Sequence, residues 1–250
     1  MDATLFWIIA GCLAGGALSM LLAASVAYTL LAGWVPRMVS FSVGVLLGVT
    51  FLDLLPEAFE KAENLHLLFG AVLLGILAFF LLEKAALWRH SHDDEGHGIR
   101  KSSGLLILAG DAFHNFVDGV LIAAAFLADF RLGLTTTLAV MVHEIPQEIG
   151  DFMVLLHAGY ARSRALLLNL AVSLASVAGG LLGYLVLDQA QSLVQYALAL
   201  AAACFIYIAI ADLIPDLHRQ NRRGELWWQV VLIAVGIGTI GALGYWLHHD

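Results

Sequence analysis

The chain is a succession of apolar runs parted by short polar breaks. Each run is about 20 residues long, the length an α-helix needs to cross the hydrocarbon core of a bilayer. The pattern predicts eight spans, at about 5–30, 38–58, 66–88, 104–128, 133–157, 164–187, 192–212 and 226–247. The expected fold is an all-α integral membrane protein in which residues 1–250 form a single transmembrane domain, with one polar cytoplasmic loop at about 89–103. The first run has no basic stretch ahead of it and continues into further apolar sequence, so it reads as a retained span rather than a cleaved signal.

Composition sharpens this. Of 250 residues 61% are hydrophobic and 13% charged, whereas a soluble domain is about half apolar and a quarter charged. The net charge of -8 and the absence of a basic stripe exclude nucleic acid as a partner. Cys12 and Cys204 both fall inside predicted spans, where a thiol is a packing residue and implies no disulfide.

Basic residues set the expected orientation, because short cytoplasmic loops are enriched in Lys and Arg. Ten of the twelve (Arg37, Lys84, Arg89, Arg100, Lys101, Arg162, Arg164, Arg219, Arg222, Arg223) fall at alternate loops on one side, and only Lys61 and Arg131 fall on the other. With an even number of spans, both termini are expected outside the cytoplasm. Spans 2 and 7, which run in opposite directions, close on the same pattern, Asp53-Leu-Leu-Pro-Glu57 and Asp212-Leu-Ile-Pro-Asp216. This suggests an inverted repeat relating helices 1–3 to helices 6–8 around helices 4 and 5, as in many secondary transporters.

The polar residues inside the fourth and fifth runs change the picture most. His114, Asn115 and Asp118 lie in one, and His143, Glu144, Gln147 and Glu148 in the next. An ionisable side chain at the bilayer centre costs roughly 2.5–3.5 kcal/mol even on lenient insertion scales, so it marks a functional site. His114 and Asp118 are four residues apart, as are His143 and Gln147, so each pair projects from one helix face. Two such faces turned together would offer imidazole nitrogen, carboxylate and amide oxygen to one metal ion. Pro146 frees a backbone carbonyl in the second helix, tolerable in a membrane only where another group satisfies it or where the backbone lines a cavity.

Two functional classes meet this description. A membrane-embedded zinc-dependent hydrolase would need histidines at both ends of His-Glu-x-x-His, and here the fifth position is Gln147. A transport pathway accommodates the acids on other helices: Asp53, Glu57, Asp111, Glu148, Asp151, Asp212 and Asp216 are candidates to line it. The loop at 89–103 carries His90, His92 and His97, a composition that binds metal weakly.

The stretches His114-Asn-Phe-Val-Asp-Gly and His143-Glu-Ile-Pro-Gln-Glu-Ile-Gly-Asp resemble the signature of the ZIP (Zrt-, Irt-like protein) family of divalent metal transporters. The resemblance implies zinc as the transported ion, with Fe2+, Mn2+ and Cd2+ as further substrates and no organic cofactor. It also implies uptake into the cytoplasm, a homodimer, an elevator-like movement and, from the short ends, a bacterial inner membrane. Carried over by motif position, His114, Asp118, His143 and Gln147 form the primary site, and Asn115 and Glu144 contribute to an adjoining one. Gln147 stands where the family usually has His or Glu, and Asp53 where His is common in the branch whose fifth-span motif begins His-Glu-x-Pro. A helix 6 ligand would be Asn169 or Ser173.

Charge sets the expected stoichiometry. Asp118 and Glu144 together balance one divalent ion, so one metal is expected to be held tightly at the primary site and a second weakly or transiently. Glu148, about 100° around the helix from Gln147, is expected to stand apart from the site.

Overall fold

In the computed structural model the described residues are 2–28, 34–62, 64–92, 99–219 and 225–249, with side chains left undescribed at 26–28, 83, 85–92, 99–106 and 247–249. His97 and the side chains of His90 and His92 therefore lie outside the described residues. Among those residues the chain folds as eight long helical segments. We label them α1 (Ala3–Leu13, Ala14–Leu18 and Ser19–Tyr28), α2 (Val35–Glu60), α3 (Leu65–His92) and α4 (Ile99–Ala128). The remainder are α5 (Phe130–His157), α6 (Arg162–Leu187), α7 (Gln191–Arg219) and α8 (Glu225–His249).

All but α5 are long and apolar enough to cross a membrane. The exception has a chemical reason: α5 holds Arg131, Glu144, Glu148 and Asp151 in one helix. Its polar face is instead covered by protein, since α1, α2 and α4 all pack on it. The other extreme is α3 and α8, whose surfaces are largely exposed, with Leu73, Leu74, Leu81, Leu226 and Trp227 turned outward. Apolar side chains in that position suit lipid as solvent.

The packing divides into two groups of four. In one, α4 lies along α6, and α1 and α5 pack on this pair. In the other, α2 pairs with α8, α3 with α7, and α2 with α7. The groups meet where α5 crosses α2 and α4 crosses α7, and their shared core contains Leu46, Ile122, Val140, Leu198 and Phe205.

Glycines set two of these pairings. A Cβ at Gly119 of α4 would lie 1.8 Å from the Ser176 carbonyl oxygen of α6, and one at Gly179 would lie 1.9 Å from that of Phe116. Gly44 of α2 and Gly236 of α8 meet the facing backbone almost as closely, 2.2 Å from Ile233 O and 2.5 Å from Phe41 O. Without side chains between them the helices approach backbone to backbone, the usual means of association in lipid.

Each membrane proline has a local consequence. Pro56 and Pro215 follow widened π turns at Thr50–Leu54 and Ile208–Leu213, so the two Asp-Leu-x-Pro stretches take the same backbone form. A missing proline N–H disrupts the four-residue ladder, and the π turn absorbs the defect. At Pro146 the helix continues unbroken. The carbonyl it leaves without a partner is that of Val142, and the Ser42 hydroxyl of α2, 2.9 Å away, reaches it while also lying 2.9 Å from Met38 O.

Candidate metal centre

A one-residue connection places the polar side chains of α4 and α5 opposite one another. Asp129 is the only residue between Ala128 and Phe130, and its carboxylate caps α5 by accepting from the backbone N–H of Arg131 (2.8 Å) and Leu132 (3.3 Å). An antiparallel hairpin folded at residue 129 sets position 114 beside 143 and 144. The tight turn thus fixes the register of the site.

His114, Asp118, His143 and Glu144 converge, with one ligand atom from each within 4.8 Å of all the others. The two imidazole Nε2 atoms are 3.3 Å apart. His114 Nε2 is 3.3 Å from Glu144 Oε1 and 3.8 Å from Asp118 Oδ2. His143 Nε2 is 3.4 Å from Asp118 and 3.6 Å from Glu144. His143, Asp118 and Glu144 are essentially inaccessible to solvent, while His114 is 21% exposed. His143 Nδ1 lies 2.9 Å from Ala139 O. A carbonyl can only accept, so Nδ1 carries the proton and the Nε2 lone pair faces the group, the arrangement that prepares a histidine to bind metal.

No Lys or Arg pairs with these carboxylates among the described residues. Among the described residues, neither Asp118 oxygen has a hydrogen-bond donor. Two imidazoles and two carboxylates facing one point match the donor preferences of first-row divalent ions, zinc among them.

A second group shares Glu144. Asp111, Glu144 and Glu148 also bring one oxygen each within 4.8 Å of one another, all three buried. Asn115 bridges the groups: its amide donates to Asp111 Oδ1 at 2.9 Å and to Glu144 Oε2 at 3.5 Å. Glu148 is not in the histidine group but meets it through Glu144. It is rotated away from Gln147 but lies four residues from Glu144, on the same face, a spacing present in the sequence.

Gln147 occupies a different place from Glu144. It lines a cavity of about 230 Å³ with Gly110, Phe113, His114, Tyr207 and Asp212, so His114 is the side chain this cavity shares with the central group. A further cavity of about 310 Å³ lies toward the 128–130 turn, lined by Asp53, Glu57, Asp129 and Arg131. Beside it Glu57 forms an ion pair with Lys61 at 2.7 Å, and Lys61 also donates to Ala128 O. Of the other candidate pathway acids, Asp151 belongs to neither group, and Asp216 is mostly exposed and paired with Arg219 at 3.5 Å. Asn169 and Ser173 of α6 are both fully buried.

Comparison with known proteins bears on these residues. A family model described as ZIP Zinc transporter matches residues 89–244, which include both clusters. Zinc transporter ZIP13 of Pongo abelii is 34% identical over 217 residues, covering 80% of this chain and 64% of the relative. Zinc transporter ZIP4 of Mus musculus is 43% identical over 141 residues, 56% of this chain and 20% of the relative. Zinc transporter foi of Drosophila melanogaster is 37% identical over 136 residues, 54% of this chain and 19% of the relative. The chain thus spans just under two thirds of one of these relatives and about a fifth of the others. With more than half of its residues matched by the family model, and with paired histidine and carboxylate clusters in the matched region, the chain belongs to the ZIP zinc transporter family.

Proposed function

We propose that the protein carries divalent transition-metal ions across the membrane, zinc foremost, into the cytoplasm through the site between α4 and α5. The observation that carries this reading is the convergence of His114, Asp118, His143 and Glu144 inside apolar helices. Relatives named as zinc transporters support zinc as the cargo. Fe2+, Mn2+ and Cd2+ suit the same donors and are proposed as further substrates. His114, Asp118, His143 and Glu144 are the primary ligands in this reading, with Gln147 poised at the cavity beside His114. The ion enters past Asp53 and Glu57 and leaves past Asp111, Asp151 or Asp212 toward the loop at about 89–103.

The movement we propose is a slide of the α1/α4/α5/α6 group against the α2/α3/α7/α8 group. The division of the packing favours it, as does the site's position at their boundary, where His143 meets the Phe205 ring of α7 with centroids 5.9 Å apart. The matching π turns before Pro56 and Pro215, and the matching pairs α2/α8 and α7/α3, favour the inverted repeat. A homodimer would use the exposed apolar faces of α3 and α8.

The test is purified protein in vesicles loaded with a zinc-sensing dye. Zinc added outside is expected to produce protein-dependent influx. Cleavage of a membrane peptide with no metal flux would favour the hydrolase instead.

Eight spans with both termini outside the cytoplasm complete the proposal, in a bacterial inner membrane. A cysteine at Ser103 is then expected to react with a membrane-impermeant thiol reagent only from the cytoplasmic side. Cys12 and Cys204 are buried and give no background. Labelling from outside would invert the topology.

A further inference from the structure

A cavity of about 450 Å³ opens between α2, α5 and α8 and shares no lining residue with either carboxylate group. That volume lies within the range of roughly 300–1,000 Å³ usual for a ligand pocket. Met38 and Phe41 of α2, Val142 and Ile145 of α5 and Leu232 of α8 give it apolar walls. Trp34, Arg37 and Trp228, all exposed, stand at the end where α2 and α8 begin. Ser42 also lines the cavity, but its hydroxyl lies 2.9 Å from both Met38 O and Val142 O, so its proton is already engaged. Arg37 is thus the one charged side chain in the lining.

The two indoles hold that charge in place. The Arg37 guanidinium carbon is 5.1 Å from the centroid of the Trp34 ring and 5.8 Å from that of Trp228, within reach of cation–π attraction. No carboxylate pairs with Arg37 among the described residues, so the N–H edge of its guanidinium remains to grip an oxyanion. Arg37 also sits in the first turn of α2, where the helix dipole adds positive potential. Tryptophan beside a basic residue marks the headgroup level of a bilayer. A free anion would gain nothing from the apolar walls, and an uncharged lipid nothing from Arg37. The combination fits a molecule with an anionic head and a hydrocarbon tail.

We propose that this cavity binds an anionic phospholipid, its phosphate on Arg37 beside the two indoles and one acyl chain running inward between α2, α5 and α8. Basic pockets between membrane helices are the usual way such headgroups are held. The walls belong to both helix groups. On one side α2 and α8 meet backbone to backbone at Gly44 and Gly236, while α5 belongs to the other group. The width of the cavity therefore depends on where α5 stands against α2. A lipid lodged there binds one arrangement better than another and so favours it, which makes zinc flux sensitive to anionic lipid. That consequence rests on the movement proposed above; the binding itself does not.

The test uses the purified full chain in detergent, with phosphatidylglycerol and phosphatidylcholine of identical acyl chains as probes and native mass spectrometry to count the lipid retained. Phosphatidylglycerol is expected to bind about fivefold more tightly, the scale of one basic residue at an anionic surface. Arg37→Gln is expected to remove that preference and Arg37→Lys to keep most of it. Arg37 is exposed, so neither change should disturb the fold. Leu232→Trp or Met38→Trp, each filling the cavity and each checked by a monodisperse elution profile, is expected to lower retention of both lipids. Inorganic phosphate at the same concentration is expected not to displace phosphatidylglycerol. Equal retention of the two lipids, a preference that survives Arg37→Gln, retention unchanged by the filling substitutions, or displacement by phosphate alone would overturn the proposal. Lipid held by the monomer but absent from a dimer would give this face to a second copy of the chain and overturn it as well. Absence of zinc flux with lipid binding intact would overturn the transport reading and leave the lipid site standing.

Discussion

Asp118→Ala is expected to abolish zinc flux while leaving the protein in the membrane. Asp118 is almost completely buried and its Oδ2 approaches both histidines, at 3.8 and 3.4 Å. Losing even an outer-shell partner of a metal ligand costs roughly 10–100-fold in affinity or activity, so losing a direct ligand should cost at least that much. The two imidazoles would also lose their nearest carboxylate on α4. Insertion should not suffer, because alanine removes an ionisable group that costs roughly 2.5–3.5 kcal/mol at the bilayer centre. His114→Ala is expected to behave similarly, since His114 is the member of the group that reaches the cavity beside Asp212. The measurement is dye-reported zinc influx in vesicles at equal protein content. Flux near that of the unaltered protein in either variant would remove these residues from the ion's path.

The central constellation was legible because hydrocarbon makes polar residues conspicuous. His114, Asp118, His143 and Glu144 stood out against apolar sequence; the i, i+4 rule pairs His114 with Asp118 and His143 with Gln147 on facing surfaces, while Glu144 reads as part of an adjoining site. Other features depend on interactions that spacing along one helix does not express. The fold at Asp129 takes one residue, whereas the apolar runs suggested four between residues 128 and 133. That single residue sets the register and hence brings Glu144 within reach of both histidines, with Gln147 lining the cavity beside His114. The lone acids were harder to place. Asp111 and Glu148 read as points along a path, because their relation depends on α4 and α5 being antiparallel at that register. Pro146 was the opposite case: the sequence showed that a carbonyl would be freed, but only the packing of α2 shows that Ser42 satisfies it. The same polar face that reveals the site also makes α5 the segment least recognisable as a span.

Gly119→Ala is expected to destabilise the protein strongly, whereas Gly110→Ala on the same helix should be nearly neutral. At Gly119 an added Cβ would lie 1.8 Å from Ser176 O and 2.7 Å from Gly180 N, both backbone atoms of α6. Backbone cannot rotate aside as a side chain does, so α4 and α6 must separate. Overpacking a core costs about 1–3 kcal/mol and more where backbone shifts are forced. The reciprocal contact at Gly179, 1.9 Å from Phe116 O, shows that the approach extends over a full turn on both helices. At Gly110 no atom lies within 4 Å of the added methyl, and alanine is the better helix former by about 1 kcal/mol. Gly119 also directly follows Asp118, so parting the two helices should displace a metal ligand. The expected result is a sharp fall in melting temperature in detergent and in zinc affinity for Gly119→Ala, with both retained in Gly110→Ala. An unchanged melting temperature in Gly119→Ala would mean that α4 and α6 do not meet at this glycine.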